Sequence, residues 1–395
     1  MPVVDGFTLA TTNVGGFYGG RDNVLMIEAA TGSSVAGVFT QNAVCGAPVT
    51  WSRQVAKKGL IRGLLVNAGN ANVALGKAGM DAAQAKMQTM ASLLDCAPDR
   101  LALASTGVIG APLDPAPYQA ALPQLQASLR ADAWSEAATA IMTTDTYPKM
   151  ATRTCEIDGK TVTLNAIAKG SGMIEPNMAT MLAFVATDAN LGPEILDSFL
   201  RECSQVSLNA VTVDGDTSTS DMCLVMASRQ VTHATIDDPE DERLDDFLAA
   251  LKAVMIELAQ LIARDGEGAQ KLITVDVTGA GSAEEAMIAA KAVANSPLVK
   301  TAIAGEDANW GRIAMALGKS GAKLSQERLA ISMGGLPIVE RGGLIADYDE
   351  APIAKHIKGR EVSIAADLGV GRAKAHVWTC DLTHGYIDIN ADYRS

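Results

Sequence analysis

The chain has 395 residues, 48% hydrophobic and 19% charged, which excludes a disordered protein and leaves room for a large core or two domains. Its net charge of −13 argues against a nucleic-acid or anionic-membrane partner. With aromatics at only 4%, stacking platforms for bases or sugars are excluded as well.

The N-terminal third alternates apolar strands with helices and glycine-rich loops. Residues 63–70 (GLLVNAGN) read as a strand running into a tight polar loop, followed by a helix over 81–94. LALAS at 101–105 is a short buried strand that ends at Thr106-Gly107, and 123–129 and 131–142 have helical spacing. Helical spacing returns over 193–206, with Leu196, Phe199 and Leu200 on one face. The acidic run at 237–246 (DDPEDERLDD) opens the longest amphipathic helix, 242–263, which stops at Gly266 and Gly268. LITVDV at 272–277 alternates as a half-buried strand, and 283–293 is a short helix. Beyond Arg328 the chain reads as strands: LAISM, EVSIAADL, AKAHVWTCDL and GYIDINADY. Strand runs with helices grouped between them predict an α+β layered sheet–helix architecture rather than strict βαβ alternation. No linker or composition shift marks a domain boundary.

Several chemistries drop out on spacing. Gly318-Lys319-Ser320 lacks the upstream glycine of a phosphate loop, since position 313 is Ile313. The glycines at 369 and 371 complete no dinucleotide fingerprint, and Ser171 lies in G-S-G rather than a nucleophile elbow. The six cysteines form no CxxC pair and read as reduced structural thiols. The four histidines form no HxH or HExxH pattern, so no metal site is expected. Met1-Pro2-Val3-Val4-Asp5 has neither a basic start nor a long apolar run, and no run of 18 apolar residues occurs. A cytoplasmic protein without a membrane span is expected.

The stretch 169–187 (KGSGMIEPNMATMLAFVAT) holds the sharpest signal. Glycine, serine and proline breakers precede Ala179-Thr180, and an apolar run that reads as a strand follows. A threonine at that position can cut the bond before itself and then act as an N-terminal nucleophile. Its freed α-amine would be its own base, with an ordinary pKa of about 7.7–8.0. The plainer reading makes Thr180 only the first residue of a buried strand. Two polar blocks read as loops more readily than as sites on their residues alone: Thr143-Thr144-Asp145-Thr146, and 214–221 (DGDTSTSD), which completes no calcium loop.

Together these segments resemble the ornithine acetyltransferase (glutamate N-acetyltransferase) family of arginine biosynthesis. The resemblance is carried by NAGNANVALG (67–76), STGVIG (105–110), IMTTDTYPK (141–149), KGSGMIEPNMATML (169–182), VDGDTSTSD (213–221) and DGEGAQKL (265–272). It continues through NSPLVKTA (295–302), EDANWGRIAMALGKSG (306–321) and the terminal DLTHGYIDINADYRS. It implies a precursor that cuts itself between Ala179 and Thr180, into an α chain of 1–179 and a β chain of 180–395. These would stay together and pair as an α2β2 assembly.

Carried over residue by residue, the resemblance makes Thr180 the nucleophile, acetylated by N-acetylornithine and deacetylated by glutamate. Thr106 and Gly107 match the oxyanion pair. Lys169, Glu267, Asn390 and Ser395 match substrate-binding or site positions, as does one threonine of the TTDT block, with Thr143 favoured. The family also includes enzymes that accept acetyl-CoA as a second acetyl donor, and no motif separates the two groups. No other cofactor is implied.

An N-terminal-nucleophile amidohydrolase or aminopeptidase would share Thr180 and the oxyanion pair but pass the acyl group to water. Acceleration of deacetylation by glutamate separates the two. A binding protein without chemistry would have no reason to keep Ala179-Thr180, Thr106 and Gly107 together.

Overall fold

The computed structural model describes residues 1–18, 20–175 and 181–391. The chain forms two compact units: residues 1–170, 176–209 and 217–258 make the first, and 171–175, 210–216 and 259–395 the second.

The first unit is built on two sheets. Strands β1 (Phe7–Thr12), β2 (Val24–Ala29) and β3 (Ser34–Phe39) lead into helix α1 (Ala47–Lys58), whose first turn carries Pro48. Next come β4 (Gly63–Asn70), α2 (Gly76–Leu93), β5 (Leu101–Val108), α3 (Ala116–Ala127) and α4 (Trp134–Ala140). A hairpin of β6 (Lys149–Ile157) and β7 (Lys160–Lys169) precedes β8 (Leu182–Thr187), α5 (Pro193–Gln205), β9 (Met222–Ala227) and α6 (Asp245–Arg264). One sheet has the order β1-β2-β4-β5 and the other β3-β9-β8-β7-β6. The parallel pairs β4/β5 and β8/β9 are each bridged by a helix, α2 and α5, as parallel strands require.

Side-chain alternation decides which layer each strand face meets. Leu64 and Val66 of β4, and Ala102 and Ala104 of β5, point into a core shared with α1, α4 and the second sheet's Ile167, Phe184 and Leu224. Leu65, Leu101 and Leu103 point the other way, onto Ala83, Met87 and Met90 of α2 and Leu122 and Leu125 of α3. Helices α1 and α4 therefore lie between the two sheets, α2 and α3 cover the first sheet, and α5 covers the second. Phe199 of α5 stacks on Phe247 of α6 with ring centroids 6.3 Å apart. The acidic run that opens α6 acts as the sequence suggests: Asp241 caps the preceding turn through the N–H of Arg243.

The second unit holds β10 (Leu272–Ala280), α7 (Ala283–Ala294), α8 (Pro297–Ala304), α9 (Trp310–Gly318), β11 (Ala330–Met333), β12 (Leu336–Glu340) and β13 (Gly343–Leu344). It continues with α10 (Glu350–Ile357), β14 (Glu361–Asp367), β15 (Ala373–Cys380) and α11 (His384–Ala391), and its mixed sheet has the order β13-β12-β11-β14-β10-β15. The architecture is α+β and layered, as expected from the strand and helix pattern.

The last predicted strand is corrected. GYIDIN alternates, but it folds as α11, and the apolar residues that suggested burial are exposed, Ile387 at 63% and Ile389 at 37%. Thr383 starts the helix by accepting the N–H of Gly385, and Asn390 returns its side chain to the Tyr386 carbonyl one turn back.

Trp134, 1% exposed, is the largest fully buried side chain among the described residues, and it lies in the layer between the first unit's sheets. Trp134→Ala should cost about 3–5 kcal/mol, read as a lowered urea midpoint, because two sheets cannot both collapse onto the space.

Candidate active site

Strand β5 runs beside β4 in a register that pairs Asn67 with Ser105, Ala68 with Thr106, Gly69 with Gly107 and Asn70 with Val108. Continuing the alternation, Thr106 falls on the face that meets the second sheet, while Asn67 and Ser105 face α2. Where the pair ends, the backbones crowd. Gly69 has φ +111° and Gly107 φ +125°, and a Cβ on Gly107 would collide with the Gly69 carbonyl. Only glycine satisfies both the angle and the approach.

Thr106 is 8% exposed, and its Oγ1 accepts a hydrogen bond from Lys169 Nζ at 3.3 Å. An ammonium only donates, so the threonine hydroxyl is left to aim its own proton elsewhere. Lys169 closes β7, and the next residue, Gly170, donates its N–H to Asp145 Oδ1 at 2.7 Å. Asp145 also accepts from Lys149 Nζ at 2.6 Å and from the Thr143 N–H at 2.9 Å. Arg21 holds the incoming chain through the Thr139 carbonyl at 2.9 Å and the Met142 carbonyl at 2.6 Å.

Two buried carboxyls near Lys169 take opposite states. Burial works to raise the Asp145 pKa, but the Lys169 and Lys149 charges and the Gly170 N–H outweigh it and bring it down to about 2. Burial dominates at Asp221 and pushes it well above the carboxylate range, with its Oδ2 lacking a hydrogen-bond partner among the described residues. Among the described residues, Lys149 and Lys169 thus both act on the one ionised carboxylate of Asp145, and Lys169 carries that charge to Thr106.

In the second unit, Ser171 accepts the Glu267 N–H at 2.8 Å, and the Asp214 carboxylate takes the N–H groups of Met173 at 2.7 Å and Ile174 at 2.9 Å. Tyr386 donates to Asp214 Oδ2 at 3.1 Å, and burial, then the Asp214 charge, push its phenol up. Glu267 is buried, with its carboxylate lying where a Cβ on Gly172 would be, and it accepts from Asn390 Nδ2 at 2.7 Å.

Of the residues expected from the sequence, Thr106, Gly107, Lys169 and Thr143 are gathered in the first unit, Thr143 through its backbone N–H. Glu267 and Asn390 meet in the second. Ala179, Thr180 and Ser395 lie outside the described residues. Sequence reasoning missed Asp145, Asp214 and Tyr386. Asp145 and Asp214 stood inside blocks already singled out, but nothing local told a charge hub from a turn residue. Among the described residues, no group of three or more His, Cys, Asp or Glu could hold a metal ion.

A layered α+β fold with a glycine-crossed strand end and a buried threonine under a lysine suits an acyltransferase. The chain belongs to the ArgJ family, whose model matches residues 9–395. It is 50% identical over 395 residues to "Arginine biosynthesis bifunctional protein ArgJ" of Gluconobacter oxydans, covering 100% of this chain and 93% of that protein. The protein of the same name from Zymomonas mobilis is 46% identical over 397 residues, covering 100% and 96%. A crystal structure of arginine biosynthesis bifunctional protein ArgJ from Bacillus halodurans matches with a TM-score of 0.51 and 42% identity, over 53% of this chain and 98% of that one.

Asp145→Asn should cost about 3–5 kcal/mol, because it removes the buried carboxylate that the fully buried Lys149 pairs with. The sign of the pH effect follows from the lowered carboxyl. The stabilisation is complete above the ordinary value of 3.8 and is lost as pH falls toward about 2. Urea midpoints measured across the pH range should therefore separate wild type from Asp145→Asn above pH 4 and draw together as pH falls toward 2.

Proposed function

We propose that this chain is the acetyltransferase of arginine biosynthesis that moves acetyl from N2-acetyl-L-ornithine to L-glutamate through an acetyl-Thr180 intermediate. The observation that carries the reading is the ArgJ family match over residues 9–395. The buried Thr106–Lys169 contact supports the chemistry.

The precursor is matured by Thr180 itself. Its hydroxyl adds to the Ala179 carbonyl carbon, the peptide C–N bond breaks as the acyl group moves from nitrogen to oxygen, and water hydrolyses the ester. This leaves an Ala179 carboxylate and a free Thr180 amine. In turnover that amine takes the hydroxyl proton while Oγ1 attacks the acetyl carbonyl. Collapse of the tetrahedral intermediate expels ornithine, whose leaving nitrogen receives the proton. The glutamate amine then attacks the acetyl ester by the reverse sequence and restores the hydroxyl.

Thr106 and Gly107 donate to the tetrahedral oxygen, and Lys169 polarises the Thr106 hydroxyl while offering charge to a substrate carboxylate. Thr143, Glu267, Asn390 and Ser395 complete the substrate contacts in this reading. Acetyl-CoA is a candidate second donor, in line with the word bifunctional in the relatives' names.

The sheet order supports α and β chains that stay together after the cut. In β3-β9-β8-β7-β6, strands β9 and β8 follow the proposed cut and are flanked by β3 and β7, which precede it. Separation would break hydrogen-bonded ladders on both sides. The Bacillus halodurans chain, matched almost whole by about half of this one, fits a two-piece enzyme. Pairing of two such αβ units as α2β2 belongs to the same reading. No helix among the described residues is long and apolar enough to cross a membrane. The six unpaired cysteines, three with thiols that burial pushes up to about 12, suit a reducing compartment, and we place the enzyme in the cytoplasm.

Mass spectrometry of the purified protein should find two chains split before Thr180, and an acetylated β chain after N-acetylornithine is added. Glutamate should discharge that acetyl group faster than water does; if it does not, the enzyme is a hydrolase. Thr180→Ala should stay full-length, and efficient cleavage of that variant in a protease-free preparation would sink the proposal.

Thr106→Ala, normalised to cleaved protein, should lower kcat and kcat/KM together by about 10²–10³, since its hydroxyl serves a charge present only in the transition state and intermediate. A change confined to KM would make Thr106 a ground-state contact instead.

A further inference from the structure

Directly behind the strand ends that carry Thr106 and Gly107 lies a lysine that makes no ion pair among the described residues. Lys86 projects from α2 and is 0% exposed. Its Nζ donates to Asn67 Oδ1 at 2.9 Å and sits 4.7 Å from the centre of the Tyr118 ring on α3. The same Asn67 oxygen accepts Ser105 Oγ at 2.7 Å, and Asn67 Nδ2 donates to the Asn70 carbonyl at 2.9 Å. Asn70 in turn holds the loop beyond it, through the Asn72 N–H at 2.8 Å and the Ala111 carbonyl at 3.0 Å. One amide thus ties β4 to β5 one residue before Thr106, and ties β4 to its own exit across Gly69.

We propose that Lys86 is a positioning residue for the oxyanion pair: by fixing Asn67, and through it Ser105 and Asn70, it sets from behind where Thr106 and Gly107 direct their donors. The proposal rests on the oxyanion role given to that pair above. A buried amine is costly, and burial alone lowers its pKa to about 7. A leucine would fill the same space between α2 and β4 without that cost. An amine there is explained by the hydrogen bond it makes, and Asn67 is where that bond acts. The need is specific to this strand end. Gly69 and Gly107 both have positive φ and no side chain to lock them, so their geometry must be imposed by neighbours.

The test is a double-mutant cycle on the cleaved full-length enzyme, combining Lys86→Met with Thr106→Ala. Two rates are read: glutamate-dependent transfer from N-acetylornithine, and acetylation of Thr180 by p-nitrophenyl acetate, which needs the oxyanion pair but not the natural substrate. Lys86→Met should lower kcat by roughly 10- to 100-fold, the scale expected for slight misplacement of a catalytic group, with KM within about twofold of wild type. In the Thr106→Ala background its further effect should shrink to about threefold or less, because the share that runs through Thr106 is already lost and only the share through Gly107 remains. Ser105→Ala, which removes a smaller part of the network, should give the same pattern with a smaller loss, and it decides the matter if Lys86→Met does not fold or cleave.

Losses that multiply in full, a loss confined to KM, or wild-type kcat in folded Lys86→Met would overturn the positioning role. A wild-type enzyme that reacts with the ester but does not transfer acetyl to glutamate would overturn the proposed function, and the ester rates would still decide Lys86. A wild-type protein that the ester leaves unacetylated would overturn both.

Discussion

The close approach of Gly69 to Gly107 is the constraint on which the candidate site depends. Two parallel strands end with the Gly69 carbonyl too near Gly107 for a side chain there, and both glycines have a φ that disfavours residues with a Cβ. That approach places Thr106 one residue back, on the face toward the second sheet, where Lys169 reaches it. Glycine supplies the permission but not the rigidity. Rigidity comes from the parallel ladder between β4 and β5 and from the Asn67 amide behind it, whose hydrogen-bonding atoms are all engaged within the first unit.

Charge is arranged around that geometry with little redundancy. Asp145 gathers a lysine and two backbone N–H groups and stays ionised in a buried place, because the positive groups outweigh the desolvation that opposes them. At Asp221 burial outweighs the Ser218 and Thr40 hydroxyls and the Lys169 charge, and the carboxyl is held toward its neutral form. Had both been anionic, Lys169 would face a negative surrounding, poorly suited to an incoming carboxylate or a developing oxyanion. The arrangement is an electrostatic preorganisation, made before substrate arrives and kept by burial.

Much of the fold was legible because its signals are local. The 3.6-residue spacing of Leu196, Phe199 and Leu200 is found in α5, and LITVDV and EVSIAADL pair as β10 and β14. Other signals were present but weaker. Asp158-Gly159, with φ +51° and +65°, makes the tight turn joining β6 to β7, and that dipeptide between alternating runs is a hairpin mark. GYIDIN misled because alternation implies a strand only when one face is buried, and here neither isoleucine is. The N-terminal strands β1 to β3 were not resolved individually, since each is short and their pairing is spread along the chain.

The sequence by itself determined the family, the candidate oxyanion pair and the Ala179-Thr180 dipeptide, because these are runs of residues whose order along the chain carries the chemistry. It also determined the α+β class, through strand and helix periodicities that need only near neighbours. The tertiary structure alone decided which polar residues are buried and what they hold. Asp145 meets Gly170 from 25 residues away, Lys86 meets Asn67 from 19, and Glu267 meets Asn390 from 123. A hydrogen bond depends on separation in space and on exclusion of water, and neither is written in the spacing of residues along a chain.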